Sequence, residues 1–405
     1  MNRLSYRHTL WASYLGYMTQ AIVNNLGPLL FLTFQRQFGL SLRSLALLIV
    51  LNFGIQLLTD LAAARFADKI GYRRLALSAH LLCTLGLLLM GTLPFVLPNP
   101  YGGILIAVVF NALGGGIIEV IISPIVEALP GERKAASMSL LHSFYCWGYV
   151  LVVILSAAYF ALAGIRRWPY LPLLWALLPL GNLFLFARVP LKTLTDPSAA
   201  PLPLGSLLNK KVFLILFLLM VCSGASEQAM SQWASLFAEA GLGVSKTAGD
   251  LLGPCAFAAL MGLSRVFFGL QRGQIKLERF LFIAGGLCVV SYLMAVCSPF
   301  PLVSLMGCAL CGLSVGIMWP GTFSLASRVF PQGGTAMFAV LALAGDAGCA
   351  AGPALVGLVM EGTALKAGLF AAILFPVLQI FGIGLLRRPG RSRPASGQGQ
   401  AKPLQ

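Results

Sequence analysis

Residues 101–128 read YGGILIAVVFNALGGGIIEVIISPIVEA, with two acids, Glu119 and Glu127, and no base. A hydrocarbon core about 30 Å thick is crossed by about 20 helical residues. Backbone amides find no water there, so only a helix or a closed barrel satisfies them. This run is too long and unbroken for a barrel strand, and it predicts a membrane-spanning helix. The whole chain has the same character: of 405 residues, 58% are hydrophobic and 10% charged, with mean hydropathy +0.87. Soluble proteins carry about 25% charged residues. Polar surface is too scarce here for a water-soluble body, and the balance is the reverse of a disordered chain's. Lipid is the solvent.

Outward from this run, helices are expected near 10–34, 44–64, 74–96, 101–128, 136–161, 169–188, 212–237, 249–269, 278–298, 301–327, 335–359 and 365–386. The expected fold class is an all-α membrane protein, with twelve transmembrane helices in two six-helix bundles related by a pseudo-two-fold axis. Residues 1–189 form the N-terminal bundle, 190–211 a cytoplasmic linker, 212–388 the C-terminal bundle and 389–405 a disordered cytoplasmic tail. Asp196, Pro197, Pro201, Pro203 and Gly205 discourage regular structure in the linker. Shifting the chain by 200 residues aligns Leu141 with Leu341 and Gly148 with Gly348, a faint internal repeat of the kind seen in secondary transporters.

An even number of spans puts both termini on one side. Placing them inside assigns 21 Lys and Arg to the cytoplasmic side and 6 to the other, leaving Arg265 within a span. This bias favours cytoplasmic termini in a plasma (inner) membrane. The net charge of +16 comes from short clusters between apolar runs, which is no nucleic-acid footprint. All nine cysteines lie in or beside apolar runs and read as packing residues. Cys308 and Cys311 have the spacing of half a metal motif but no second pair or His cluster, so no metal and no cofactor is expected. No cleaved leader is expected, because the first run continues past Asn24 and Asn25 to Phe34 without a small-residue cleavage site.

A charge near the bilayer centre costs about 2.5–3.5 kcal/mol on insertion scales and so faces a cavity or a partner. Glu119 lies about ten residues inside its helix end, roughly 15 Å at 1.5 Å per residue. His142 lies at a comparable depth on the next helix. The two are expected to adjoin, Glu119 carrying a proton and His142 tuning it, with a buried structural pair as the alternative. Asp346 is read as either a coupling or a structural acid. Four-residue spacings draw polar stripes: Asn111, Gly115, Glu119, Ser123 and Glu127 on the fourth helix, Asn52, Gln56 and Asp60 on the second, Gln20 and Asn24 on the first, Gln228 and Gln232 on the seventh, with Glu227 and Ser231 beside them. One such stripe is equally a bond between helices; four together point to a wet central chamber. Asn and Gln offer both donors and acceptors to a neutral ligand's hydroxyls. Trp233 and Trp319 are each either a ring platform for a sugar or packing. Arg265 reads as a gating or helix-pairing charge.

The segment from Ala64 through Arg74, ARFADKIGYRR, resembles the loop signature of the major facilitator superfamily. Ala64 stands for its leading glycine and Tyr72 for one basic position, while Asp68, Gly71 and Arg73 match. The resemblance implies a latch between half-bundles, with Asp68, Gly71 and Arg73 as gating residues. The second-half stretch from Gly269 to Gln274 lacks the pattern. More narrowly, Gly114-Gly115-Gly116-Ile117-Ile118-Glu119 through Pro124, with Leu141-His142-Ser143-Phe144 and Gly148, resembles the fucose-proton symporter branch. That likeness implies a role for Glu119 in sugar recognition and proton coupling. No acid stands near Asn24 to Gly27, where the branch carries a titrating aspartate on its first helix.

The function expected is proton-coupled uptake of a small polar solute such as a sugar, by alternating access; the alternative is proton-driven export of amphipathic compounds or drugs. A non-transporting receptor or an intramembrane enzyme is the third class, and no nucleophile or metal constellation supports an enzyme. The expected partners are the solute, protons and membrane lipid, not nucleic acid, and the chain is expected to be a monomer.

Overall fold

The computed structural model describes residues 4–130, 134–192, 208–270, 276–330, 334–361 and 364–387, with backbone alone at 63–65, 68, 134–139 and 334–336. Among these residues every regular element is helical. Most of the linker expected at 190–211, and all of the tail expected at 389–405, lie outside the described residues.

The first half comprises α1 (Tyr6–Leu29, continued by Phe31–Phe38), α2 (Leu42–Ile70), α3 (Tyr72–Val96), α4 (Pro100–Glu127), α5 (Lys134–Ala163) and α6 (Tyr170–Trp175 with Leu177–Arg188). The second comprises α7 (Lys211–Leu236 with Phe237–Gly241), α8 (Lys246–Asp250 through Ala256–Leu270), α9 (Leu277–Cys297), α10 (Pro301–Val315 with Met318–Val329), α11 (Gly334–Glu361) and α12 (Leu365–Ala371 with Leu374–Arg387). Short polar caps start several of them. The Ser41 hydroxyl accepts from the Ser44 amide at 3.1 Å, and Asn99 accepts from Tyr101 and Gly102 ahead of Pro100 at the first helical position. Gly71, at φ +91°, makes the α2–α3 turn in the left-handed region that disfavours any side chain.

Among the described residues, eleven helices are long and apolar enough to cross a membrane on length and composition alone. The remaining one, α1, carries Gln20, Asn24 and Asn25, all buried against neighbouring helices rather than facing lipid. With α1 counted, the twelve-helix architecture expected from the sequence is present.

Within the first half, α1 packs on α5, α4 and α6, α3 on α4 and α6, and α2 on α4; within the second, α7 packs on α11 and α12, α9 on α10 and α12, and α8 on α10. The halves meet where α2 packs on α11 and α5 on α8, with α1 touching α7. The sequence repeat has a physical basis. At Gly148 an added Cβ would meet the Met18 Cα at 3.0 Å, so α5 lies close on α1; at Gly348 it would meet the Val221 carbonyl oxygen at 2.1 Å, so α11 lies close on α7. Leu141 and Leu341, one turn or more earlier, are both fully buried.

We call the face where Tyr6 and Arg387 lie the terminal face, and the other the far face.

Candidate central cavity

A cavity of about 420 Å³ lies between the halves. Its wall takes residues from α1, α2, α4, α5, α7, α8, α10 and α11, while α3, α6, α9 and α12 stand outside it. It reaches Phe268, Gly269 and Phe323, near the terminal-face ends of α8 and α10.

On the first-half wall, Gln20 Nε2 donates to Glu119 Oε2 at 2.7 Å and the Tyr17 hydroxyl pairs with Ser123 at 3.0 Å, so the α4 stripe is turned toward α1. Asn24 is the centre of an amide cluster. Its Oδ1 accepts from Gln56 at 2.8 Å and Asn52 at 3.1 Å, and its backbone carbonyl accepts from Gln232 of the other half at 3.4 Å. Gln232 also donates to Gln228 Oε1 at 3.0 Å, and Gln228 to Glu227 Oε1 at 3.2 Å. A continuous chain of amides thus crosses from α2 through α1 to α7. Arg265 Nη2 donates to Glu227 Oε2 at 3.1 Å. It pairs α8 with α7 inside the second half, at the cavity wall.

Three carboxyls converge where α2, α4 and α11 meet: oxygens of Asp60, Glu119 and Asp346 all lie within 4.8 Å of one another. Two helices belong to the first half and one to the second. Three acids so close require protons or a cation between them, and their spacing would let one cation bridge them. Asp60 is on the α2 stripe, where its spacing from Asn52 and Gln56 is the sequence signal for it; Asp346 is legible as a membrane-embedded acid, but nothing in the sequence pairs it with Asp60.

Of the remaining expected site residues, Gln20, Asn24, Gln56, Glu119, His142, Glu227, Gln228, Arg265, Trp319 and Asp346 line the cavity. Asn52 and Gln232 do not; with Asn24 and Asn111 they line a smaller void of about 30 Å³ on the far-face side. Trp233 is also off the cavity. Its indole N–H donates to the Pro353 carbonyl at 3.2 Å, its ring lies 5.7 Å from that of Phe31, and it is fully buried, which makes it packing rather than a ligand platform. His142 packs against Tyr17, ring centres 5.4 Å apart, and among the described residues no hydrogen bond joins it to Glu119. Arg73 donates to the carbonyls of Phe186, Ala187 and Val189 at 2.7–2.8 Å, capping the end of α6 within its own half. The side chain of Asp68 lies outside the described atoms. Tyr17, Tyr145, Phe53, Phe268 and Phe323 also form the wall; as aromatic residues in apolar runs they carry no sequence signal separating a cavity wall from packing.

The family described as the Major Facilitator Superfamily matches residues 10–353. Among solved structures, the chain is similar to a bacterial homolog of the human lysosomal transporter Spinster, in an inward-facing and occupied conformation. The TM-score is 0.73 at 14% identity, covering 95% of this chain and 97% of that one. It is also similar to a mutant of the nucleoside transporter NupG, with TM-score 0.72 at 12% identity, covering 94% of this chain and 99% of that one. No curated protein matches the chain.

Proposed function

Since the chain belongs to the Major Facilitator Superfamily, a family of transporters rather than catalytic enzymes, we propose that it couples proton movement to uptake of a small polar solute, a sugar or related polyol, by alternating access. The observation that carries this reading is the chamber between the halves, in which carboxyls and amides of both bundles meet. With both termini cytoplasmic, as the basic clusters favour, the chamber faces inward. Glu119 is the proton carrier, supported by the likeness of 114–124 and 141–148 to the fucose-proton symporter branch. Asp346 shares its node, and His142 lines the same chamber. Gln20, Asn24, Gln56 and Gln228 present the donors and acceptors that a polyhydroxylated solute requires, with Trp319 as a ring face.

A second reading, proton-driven export of amphipathic compounds, draws on the six rings of the wall, Tyr17, Phe53, Tyr145, Phe268, Trp319 and Phe323. Proteoliposomes under an imposed pH gradient separate the two. Concentrative accumulation of a labelled sugar supports uptake, extrusion of a cationic dye supports export, and absence of both overturns the coupled-transport reading.

A further inference from the structure

Lys246 lies between the seventh and eighth apolar runs, where sequence alone makes it one more loop charge. In the structure it begins α8 at the far face and is enclosed. Its Nζ stands 2.9 Å from Glu239 Oε1 and 2.8 Å from the Asp250 carboxylate, with the three side chains 16%, 11% and 0% exposed for Lys246, Glu239 and Asp250. It also donates to the Ser235 hydroxyl at 3.0 Å, which in turn donates to Asp250 at 2.6 Å. All of these belong to α7 and α8, within the second half. Two further contacts do not. The same ammonium donates to the backbone carbonyl of Leu29, at the end of the first segment of α1, and lies 5.8 Å from the centre of the Phe160 ring on α5.

We propose that Lys246 is the gating residue that holds the far face shut, by capping the C-terminal end of the Tyr6–Leu29 helix from the opposite half. The end of a helix presents unpaired carbonyls and the negative pole of its dipole, both of which attract a cation. An aromatic face adds to that attraction. Of the other cross-half contacts near it, Phe31 with Trp233, Tyr149 with Ser231 and Gln232 with Asn24 are uncharged, while the Arg36 guanidinium of the first half attracts Glu239 across the seam. The arrangement suits a contact that must be made and broken repeatedly. When the halves part, Glu239 and Asp250 travel with Lys246, so the ammonium keeps its counter-charges. Opening costs the helix cap and the ring contact, not a stranded buried ion, whose cost would be far greater. The inference rests on alternating access alone, not on the solute or the coupling ion.

The test is the distance between spin labels at Leu162→Cys, on the first half, and Phe300→Cys, on the second. Both positions are exposed, at 90% and 67%. The labels are placed in a Cys297→Ser background, since Cys297 is the exposed native cysteine among the free cysteines. Lys246→Met is expected to add a longer distance population, raising the far-face-open fraction about tenfold or more. Because that variant strands Asp250, the charge-balanced combination Glu239→Gln, Lys246→Met, Asp250→Asn is measured beside it and is expected to open as well. Phe160→Leu leaves every charge in place and is expected to shift the distribution the same way by a smaller factor. Lys366→Met, which removes a bond to the Ser298 carbonyl within the second half, is expected to change nothing. An unaltered distribution in the charge-balanced variant and in Phe160→Leu overturns the proposal. Absence of sugar uptake by the unaltered protein, with the distances behaving as stated, leaves it standing and counts instead against the sugar-uptake reading.

Discussion

Gln20 on α1 donates its amide to Glu119 on α4 at 2.7 Å, which ties one of the cavity's membrane-embedded acids to the helix that also carries Asn24. The bond orients one carboxylate oxygen and leaves the rest of the group to face Asp60 and Asp346. A proton bound there changes how many negative charges the node holds. That change is the quantity a gradient can act on.

For Glu119→Gln, gradient-driven accumulation of solute is expected to vanish while counterflow exchange persists, because the amide keeps the shape and a hydrogen bond to Gln20 but cannot exchange a proton. Parallel uptake and counterflow assays in proteoliposomes check this. Unimpaired accumulation would remove Glu119 from coupling.

The second expectation concerns Asp60. It joins the first half to Asp346 of the second through a node of three carboxyls, so its protonation is expected to bias how closely α2 and α11 pack. Asp60→Asn and Asp346→Asn are each expected to lower gradient-driven accumulation about tenfold or more, the effect of about 1.4 kcal/mol, with less effect on exchange. A melting-temperature scan of the unaltered protein against sodium and calcium belongs with it. Stabilisation by either cation that Asp60→Asn abolishes would reassign the node from protons to that cation.

Asp60 also shows where sequence stops being legible. Twelve spans and the α4 stripe follow from composition and period, because each is a property of one helix and its solvent. The extension of α1 to Phe38 beyond its expected end at 34 is a matter of a polar segment remaining helical against neighbours. Partners across the seam are different. That Asp60 meets Asp346, or that Lys246 meets the Leu29 carbonyl, depends on how two bundles dock, and no spacing along one helix encodes it. Trp233 was ambiguous for the same reason: an indole in an apolar run is packing or platform according to what lies opposite, and here Phe31 and Pro353 do.

Arg265 and Glu227 make a buried ion pair at 3.1 Å, with side chains 17% and 9% exposed. Removing one partner strands the other, at a cost of about 3–5 kcal/mol, whereas removing both is often close to neutral. Arg265→Gln is therefore expected to lower the thermal unfolding temperature in detergent markedly, and Arg265→Gln combined with Glu227→Gln to recover most of the loss. Failure of the double variant to recover would mean that Arg265 stabilises through groups other than Glu227.

The last expectation uses the two equivalent glycines. A Cβ at Gly348 would sit 2.1 Å from the Val221 carbonyl oxygen and 2.9 Å from the Ala225 amide nitrogen, both backbone atoms that cannot rotate away. At Gly148 the nearest atoms are the Met18 Cα at 3.0 Å and the Ala21 Cβ at 3.1 Å, a tighter fit than usual but one that a few tenths of an ångström relieve. Overpacking costs about 1–3 kcal/mol. Gly348→Ala is expected at or above the upper end and Gly148→Ala near the lower, read as unfolding temperatures of the purified variants. The inequality matters for transport as well as for stability. If α11 is locked on α7 more closely than α5 on α1, a shift at Asp346 is passed to the amide chain of α7 with little slack, while the first half yields locally. Equal losses at the two glycines would show that the halves are equally stiff, and would remove this reason for expecting the second half to move as the more rigid unit.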